Sequence, residues 1–265
     1  MPDPYLDLRA VAMRYGEGAQ AVSALESIDL AIADREFVAI VGPSGCGKST
    51  LLYLVGGFLR PSAGAIRLRG RPVSGPGPDR GIVFQRYSLF PWLTVRANIG
   101  YGLDEQGVPR AERDRIVDEH VRLVHLEGFE ERYPRELSGG MQQRVALAQT
   151  LACRPEILLM DEPFGALDAQ TRRILQDELR RIWRRDQKTV LFVTHDVEEA
   201  VALGTRIVVL SARPGRIKET FTRGFDVAEG EEFEANPAFT ELKLRIWRSV
   251  KEEVERKQGQ SLFSE

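Results

Sequence analysis

The sequence predicts an α/β fold built on a mostly parallel sheet, with an antiparallel β subdomain ahead of it and a helical subdomain inserted within it. Three observations carry this prediction. The apolar run Phe37–Val41 feeds directly into Gly42–Thr50, GPSGCGKST, and the breaker-free Ser49–Val55 follows, which reads as strand, glycine-rich loop and helix. Two more apolar runs, Glu156–Glu162 and Thr189–His195, end in polar residues, as strands buried on both faces of a sheet do. Residues 6–33 alternate instead, clearest at Leu25, Ile28, Leu30 and Ile32, which suits half-buried antiparallel strands.

Bulk properties set the bounds. A length of 265 residues allows one large domain or two small ones with a sizeable core. Hydrophobic content of 43% and charge of 29% are those of an ordinary soluble protein, and a formal net charge of −2 supplies no global positive field, so nucleic acid is not an expected partner. Cys46 and Cys153 are too few for a disulfide framework and lack metal-ligand spacing, which favours a reducing compartment. The opening MPDPYLDLRAVAMRY has no basic stretch followed by an apolar core. With no apolar run near the roughly 20 residues of a spanning helix, a cytosolic location is expected.

Taken in order, the first strand ends at Tyr15, beside Gly16 and Gly18. An aromatic there can stack on a nucleotide base or simply face solvent, and spacing does not choose. In the loop, Gly42, Gly45 and Gly47 let backbone N–H groups wrap a polyphosphate without Cβ obstruction, Lys48 adds charge and Ser49 can ligand Mg²⁺. The helix opening there points its N-terminal dipole at the same phosphates. Gly64–Gly70 reads as another strand and Pro72–Pro78 as a loop. Gly81–Gln85 is an apolar run that delivers Gln85 to a strand end, either to a ligand site or to plain surface. Ser88–Val95 is unusually apolar, being either helical core or an exposed patch awaiting a partner.

Residues 110–126 repeat Val117, Val121 and Val124 at helical spacing, with His120 and His125 placed in that charged helix and given no role. Ser138, Gly139 and Gly140 stand where an N-cap and exposed N–H groups would make a second anion site, although such a cap alone is often merely a turn. In ILLMDE, strand alternation should send Asp161 and Glu162 different ways, the first to a Mg²⁺ shell and the second to an attacking water. Gly165–Asp168 turns into a helix with Leu175, Leu179 and Ile182 on one face. His195 ends a parallel-type strand beside the expected phosphate site, which favours function over a structural role. Arg206–Leu210 is read as the last strand, and the tail from Asn236-Pro237 as a docked helix with Phe239, Leu242, Ile246, Val250 and Val254 inward. The divisions expected are 1–225 for the nucleotide-binding domain, about 88–152 for its helical subdomain and 226–265 for a helical tail.

Together and in this order, the phosphate loop, Gln85, LSGGMQQR, ILLMDEP, GALD and His195 resemble the nucleotide-binding subunit of an ATP-binding-cassette (ABC) transporter, with a P-loop NTPase core. FQRYSLFPWLTVRANI and DEPFGALDAQTR are similar to the importer ATPases for nitrate, sulfonates and taurine. The resemblance implies ATP and Mg²⁺ as ligands. It has Tyr15 stacking on adenine, and Gly42, Pro43, Ser44, Gly45, Cys46, Gly47, Lys48, Ser49 and Thr50 holding the phosphates. Ser49, Gln85 and Asp161 would serve the metal, Glu162 would polarise water and His195 would contact the γ-phosphate. Ser138, Gly139 and Gly140, with Asp168, would meet the ATP held by a second copy.

That last implication agrees with two incomplete anion sites in one chain, which a head-to-tail two-fold dimer sandwiching two ATP molecules would complete. The resemblance further implies separate permease subunits contacted through Phe90-Pro91-Trp92, a periplasmic binding protein, and a peripheral place on the cytoplasmic face of the membrane. Gln149 departs from the arginine of many relatives, and the short tail leaves no room for the regulatory barrel of sugar-importer ATPases. The rival readings are a cassette switch acting on DNA or ribosomes, which predicts paired cassettes or a coiled-coil insertion with a basic face, and the cassette of an exporter.

Overall fold

The structure, a computed structural model, describes residues 4–85, 88–165, 167–226 and 233–261. Arg86 and Tyr87 of the FQRYSLFPW stretch, Ala166 of GALD, and residues 227–232 and 262–265 of the tail lie outside the described residues. The chain folds as two compact units, Met1–Gly77 with Lys188–Glu265, and Pro78–Gln187.

In the first unit, alternation produces the antiparallel sheet expected. β1 (Leu6–Tyr15) lies between β2 (Val22–Ile32) and a later strand, β4 (Ala63–Leu68), with the two-residue β5 (Arg71–Pro72) at the edge. The wholly buried β3 (Phe37–Val41) runs parallel to β8 (Thr189–Val193) on one side and β9 (Arg206–Leu210) on the other. Five residues without a polar side chain in β3 are what a strand covered on both faces requires. Helix α1 (Lys48–Gly56) follows β3, and α6 (Val197–Leu203) follows β8.

In the second unit, β6 (Arg80–Val83) and β7 (Ile157–Asp161) pair in parallel. Between them in the chain come α2 (Val95–Glu105), α3 (Arg110–Leu123) and α4 (Gly139–Ala152), whose shared core joins Ile99 and Leu103 to Val117, Val121, Val145 and Ala148. α5 (Ala169–Asp186) follows β7 and buries Leu175, Leu179 and Ile182. Thr94 starts α2 as an N-cap, its hydroxyl accepting from Ala97 N–H at 3.2 Å.

Four expectations need correction. Arg206–Leu210 is not the last strand: β10 (Ile217–Thr222) pairs antiparallel with it. Its sequence, IKETFT, buries only Phe221 deeply, so it carries too little apolar pattern to announce itself. His125 does not belong to the helix of residues 110–126, because α3 ends at Leu123 and His125 adopts a left-handed φ of 52°. Glu162 lies beyond the end of β7 with φ 47°, so this backbone turn, and not strand alternation, sets its direction relative to Asp161.

The fourth concerns α7 (Pro237–Ser261), which buries Phe239, Leu242 and Ile246 as expected but then continues the stripe on Ser249 and Glu253, while Val250 is half-buried and Val254 exposed. Steps of three and four keep 239, 242, 246, 249 and 253 on one helix face, and positions 250 and 254 fall off it. Glu253 tolerates 1% exposure because it accepts the Ala212 N–H at 3.0 Å and pairs with Lys218 at 3.2 Å and Arg256 at 3.4 Å.

Candidate functional site

Each unit carries its own set of predicted residues. In the first, the phosphate loop leaves β3 at Gly42 and enters α1 through Gly47, whose φ of 103° and lack of a Cβ are both required: a Cβ would lie 2.6 Å from the Leu25 side chain. Gly47 occupies the N-cap position without a side-chain cap, so the first N–H groups of α1 depend on another acceptor, the requirement an anion meets. Lys48 is 6% exposed and folds back to donate to Gly42 O at 2.9 Å and Pro43 O at 3.2 Å, holding its ammonium across the loop. Ser44 and Gly45 are exposed at the tip, and Cys46 is buried beneath it.

Tyr15 stands beside this loop. It is 43% exposed and its hydroxyl lies 3.3 Å from Thr50 Oγ1 in the first turn of α1, so its ring borders the loop. His195 is exposed directly after the buried Thr194, at the C-terminal end of β8.

The second unit unites two groups that are 77 positions apart in sequence: Gln85 Nε2 donates to Glu162 Oε2 at 3.2 Å. Asp161 ends β7 fully buried. Ser138 is the N-cap of α4, its Oγ accepting from Met141 N–H at 3.3 Å, which leaves its own O–H and the N–H groups of Gly139 and Gly140 at the helix start. A Cβ on Gly140 would sit 3.1 Å from Leu167 Cδ2, so the Leu167 side chain packs closely on this glycine. The neighbouring Asp168 caps α5 by accepting from Thr171 N–H at 2.9 Å, and that hydrogen bond holds its carboxyl below the usual range.

Three supporting side chains escaped the sequence reading. Gln142 Nε2 donates to Pro134 O at 3.0 Å and Leu137 O at 3.2 Å, bracing the approach to Ser138. Arg144 donates to Val124 O at 3.1 Å and His125 O at 3.0 Å, tying α4 to the end of α3; burial lowers its guanidinium from the ordinary value, with Asp168 opposing. Asn98, fully buried, accepts from Phe90 N–H at 2.8 Å and donates to the carbonyls of Phe90 at 3.2 Å, Leu93 at 3.0 Å and Thr94 at 3.0 Å. It thereby folds residues 90–94 over the start of α2 and sets out an aromatic cluster, with Phe90 5.7 Å from Trp92 and 4.4 Å from Tyr101 between ring centroids. Trp92 is 70% exposed, so of the two readings of Ser88–Val95, Trp92 takes the exposed one. An asparagine at the head of a helix is the only sequence signal Asn98 gave.

Hard oxygen donors are the right chemistry for Mg²⁺; the Ser49 hydroxyl is such a donor in the first unit, and the Gln85 amide oxygen and the buried Asp161 carboxylate are such donors in the second. Among the described residues no three His, Cys, Asp or Glu side chains form a cage of their own.

A glycine-rich loop between a buried parallel strand and a helix, a serine-capped helix start and the Gln85–Glu162 hydrogen bond are the features expected of an ATP-hydrolysing cassette. The family profile described as "ABC transporter" matches residues 25–165, and the chain belongs to that family as an ABC-type ATPase. It is 54% identical over 202 residues, 76% of each chain, to the nitrate import ATP-binding protein NrtD of Synechocystis sp.. It is 48% identical to the taurine import ATP-binding protein TauB of Rhizobium johnstonii, across 89% of this chain and 90% of that one. Among solved structures, the ATP-binding cassette MJ0796, described as dimeric in a post-hydrolysis state and bound to ADP and Pi, superposes with a TM-score of 0.76 at 34% identity over 83% of this chain and all of that one.

Proposed function

We propose that this ATPase is the energy-coupling subunit of an importer for a small anionic solute of the nitrate, sulfonate or taurine kind, acting through separate permease subunits and served by a periplasmic binding protein. Its place would be the cytoplasmic face of the membrane, held by the permease; among the described residues no helix is long and apolar enough to cross a membrane. The observation that carries the permease contact is the aromatic cluster of Phe90, Trp92 and Tyr101, because a 70% exposed tryptophan held out by a fully buried asparagine is a built surface. The names and identities of the two import proteins support the solute class.

In the chemical step, the residues of Gly42–Thr50 hold the triphosphate and Tyr15 stacks on the adenine. Ser49, Gln85 and Asp161 hold Mg²⁺, which when bound neutralises charge on the phosphates. Glu162 orients and polarises the attacking water, Gln85 steadies Glu162, and His195 contacts the γ-phosphate. Ser138, Gly139 and Gly140 of a second copy receive the same γ-phosphate, with Asp168 at that contact, so ATP joins two copies and hydrolysis releases them.

The test is purification with the membrane partner. Trp92→Ala is expected to keep nucleotide affinity and thermal stability while losing most permease-stimulated turnover. Association with ribosomes in place of a membrane protein, or a Trp92→Ala protein still fully stimulated, would contradict the proposal.

A further inference from the structure

His195 sits at the apex of a closed ring of hydrogen bonds. Thr194 on its N-terminal side continues the sheet, its N–H donating to Ile40 O at 3.1 Å, and is 1% exposed. The Thr194 hydroxyl donates to Glu199 Oε2 at 2.7 Å and accepts from the Asp196 N–H at 3.0 Å. Asp196, on the C-terminal side, caps α6 through Oδ1, accepting from Glu198 N–H at 2.8 Å and Glu199 N–H at 3.3 Å. The ring therefore runs from Thr194 to the Glu199 carboxylate, through the Glu199 N–H to Asp196, and back to Thr194. Both residues flanking His195 are thus fixed, and the histidine is the exposed member between them.

Glu199 is the costly part of this arrangement. It lies in a short helix with 6% exposure, and burial of a carboxylate is unfavourable unless strong hydrogen bonds answer it. A structural cap needs only Asp196, which already serves the start of α6. What Glu199 adds is an acceptor that orients the Thr194 hydroxyl so that its lone pair faces the Asp196 N–H, locking the backbone that carries His195.

We propose that Glu199 is a positioning residue for ATP hydrolysis, acting through Thr194 and Asp196 to hold the His195 imidazole in reach of the γ-phosphate. The inference rests on the role given to His195 above. Displacement of a reacting or stabilising group by about 1 Å can cost on the order of a hundredfold in rate, so a loosened ring should be read in kcat before it is read in binding.

The experiment measures kcat and KM for ATP in the full-length protein for Glu199→Ala, Glu199→Gln, His195→Ala and the Glu199→Ala/His195→Ala double variant, with a melting curve for each. Glu199→Ala is expected to lower kcat by roughly tenfold to a hundredfold with KM changed less than about threefold. Glu199→Gln, which keeps an acceptor for Thr194, should recover most of that loss, and Glu199→Ala should add nothing once His195 is gone. Undiminished kcat in Glu199→Ala, or losses that multiply in the double variant, would overturn the inference while leaving His195 in place. Full turnover by His195→Ala would instead remove the reading of His195 itself.

Discussion

Glu162 acts from a backbone conformation that few residues tolerate. Its φ of 47° directly after β7 costs on the order of 1 kcal/mol for a residue bearing a Cβ, and it turns the carboxylate toward Gln85, 3.2 Å away. If this carboxylate polarises water, Glu162→Gln should bind ATP normally, lose turnover by at least about a hundredfold and accumulate as a nucleotide-bound dimer. Unchanged turnover, measured by phosphate release, would remove it from that role. Asn98 carries a different prediction, because its removal takes the acceptor from the Phe90 N–H and a side-chain donor from three carbonyls, of which those of Phe90 and Thr94 keep a backbone N–H and that of Leu93 loses its bond to Asn98. Asn98→Ala should cost roughly 1–3 kcal/mol in denaturant unfolding, and it should weaken permease coupling as Trp92→Ala does, whereas Trp92→Ala should leave stability within error.

At the scale of elements, the buried polar end of α7 makes stability depend on pH in a definite sense. Burial alone would raise the Glu253 carboxyl, but the Ala212 N–H, Lys218 and Arg256 outweigh it and hold the group below its ordinary value. A carboxylate lowered by folding contributes stability that is complete above its unfolded pKa, about 4.3, and is lost as pH falls through the lower folded value. Wild type should therefore lose more stability on acidification below about pH 5 than Glu253→Gln, as read by thermal melts across pH; parallel losses would show that Glu253 is not the latch of α7. His120 adds to the same trend: burial lowers it from its ordinary value, so its stabilising effect, present above about pH 6.5, fades as the solution becomes more acidic.

Elements with an unbroken pattern were legible in the sequence. β3, β7 and β8 declare themselves as largely apolar runs, and α5 by Leu175, Leu179 and Ile182, because a single requirement, burial, chose the residues that make each pattern. The edge strand β10 and the second half of α7 were not, since β10 buries only Phe221 deeply, and the Ser249 backbone carbonyl and the Glu253 carboxylate meet Lys218 and Ala212, far away in sequence, which no local pattern reports. The candidate site divides the same way. Its glycines and acids stand in motifs, whereas Asn98, Gln142, Thr194 and Glu199 act through distances that only folding sets.

For the molecule as a whole, two helix starts in one chain are proposed as anion sites: that of α1 behind the glycine-rich loop, which has no side-chain cap, and that of α4 behind Ser138. The proposal that they are halves of different composite sites makes catalysis a property of two copies. Ser138→Ala separates the two uses of that serine. Loss of the cap should cost about 1 kcal/mol of stability, while turnover should fall further than this destabilisation accounts for.

The most direct measurement is ATP turnover per chain as a function of protein concentration at saturating ATP, with the fraction of dimer followed in parallel. Turnover per chain is predicted to rise with the dimer fraction and to reach a plateau when every chain is paired. A rate independent of concentration, sustained by a protein that remains monomeric, would contradict the two-copy site.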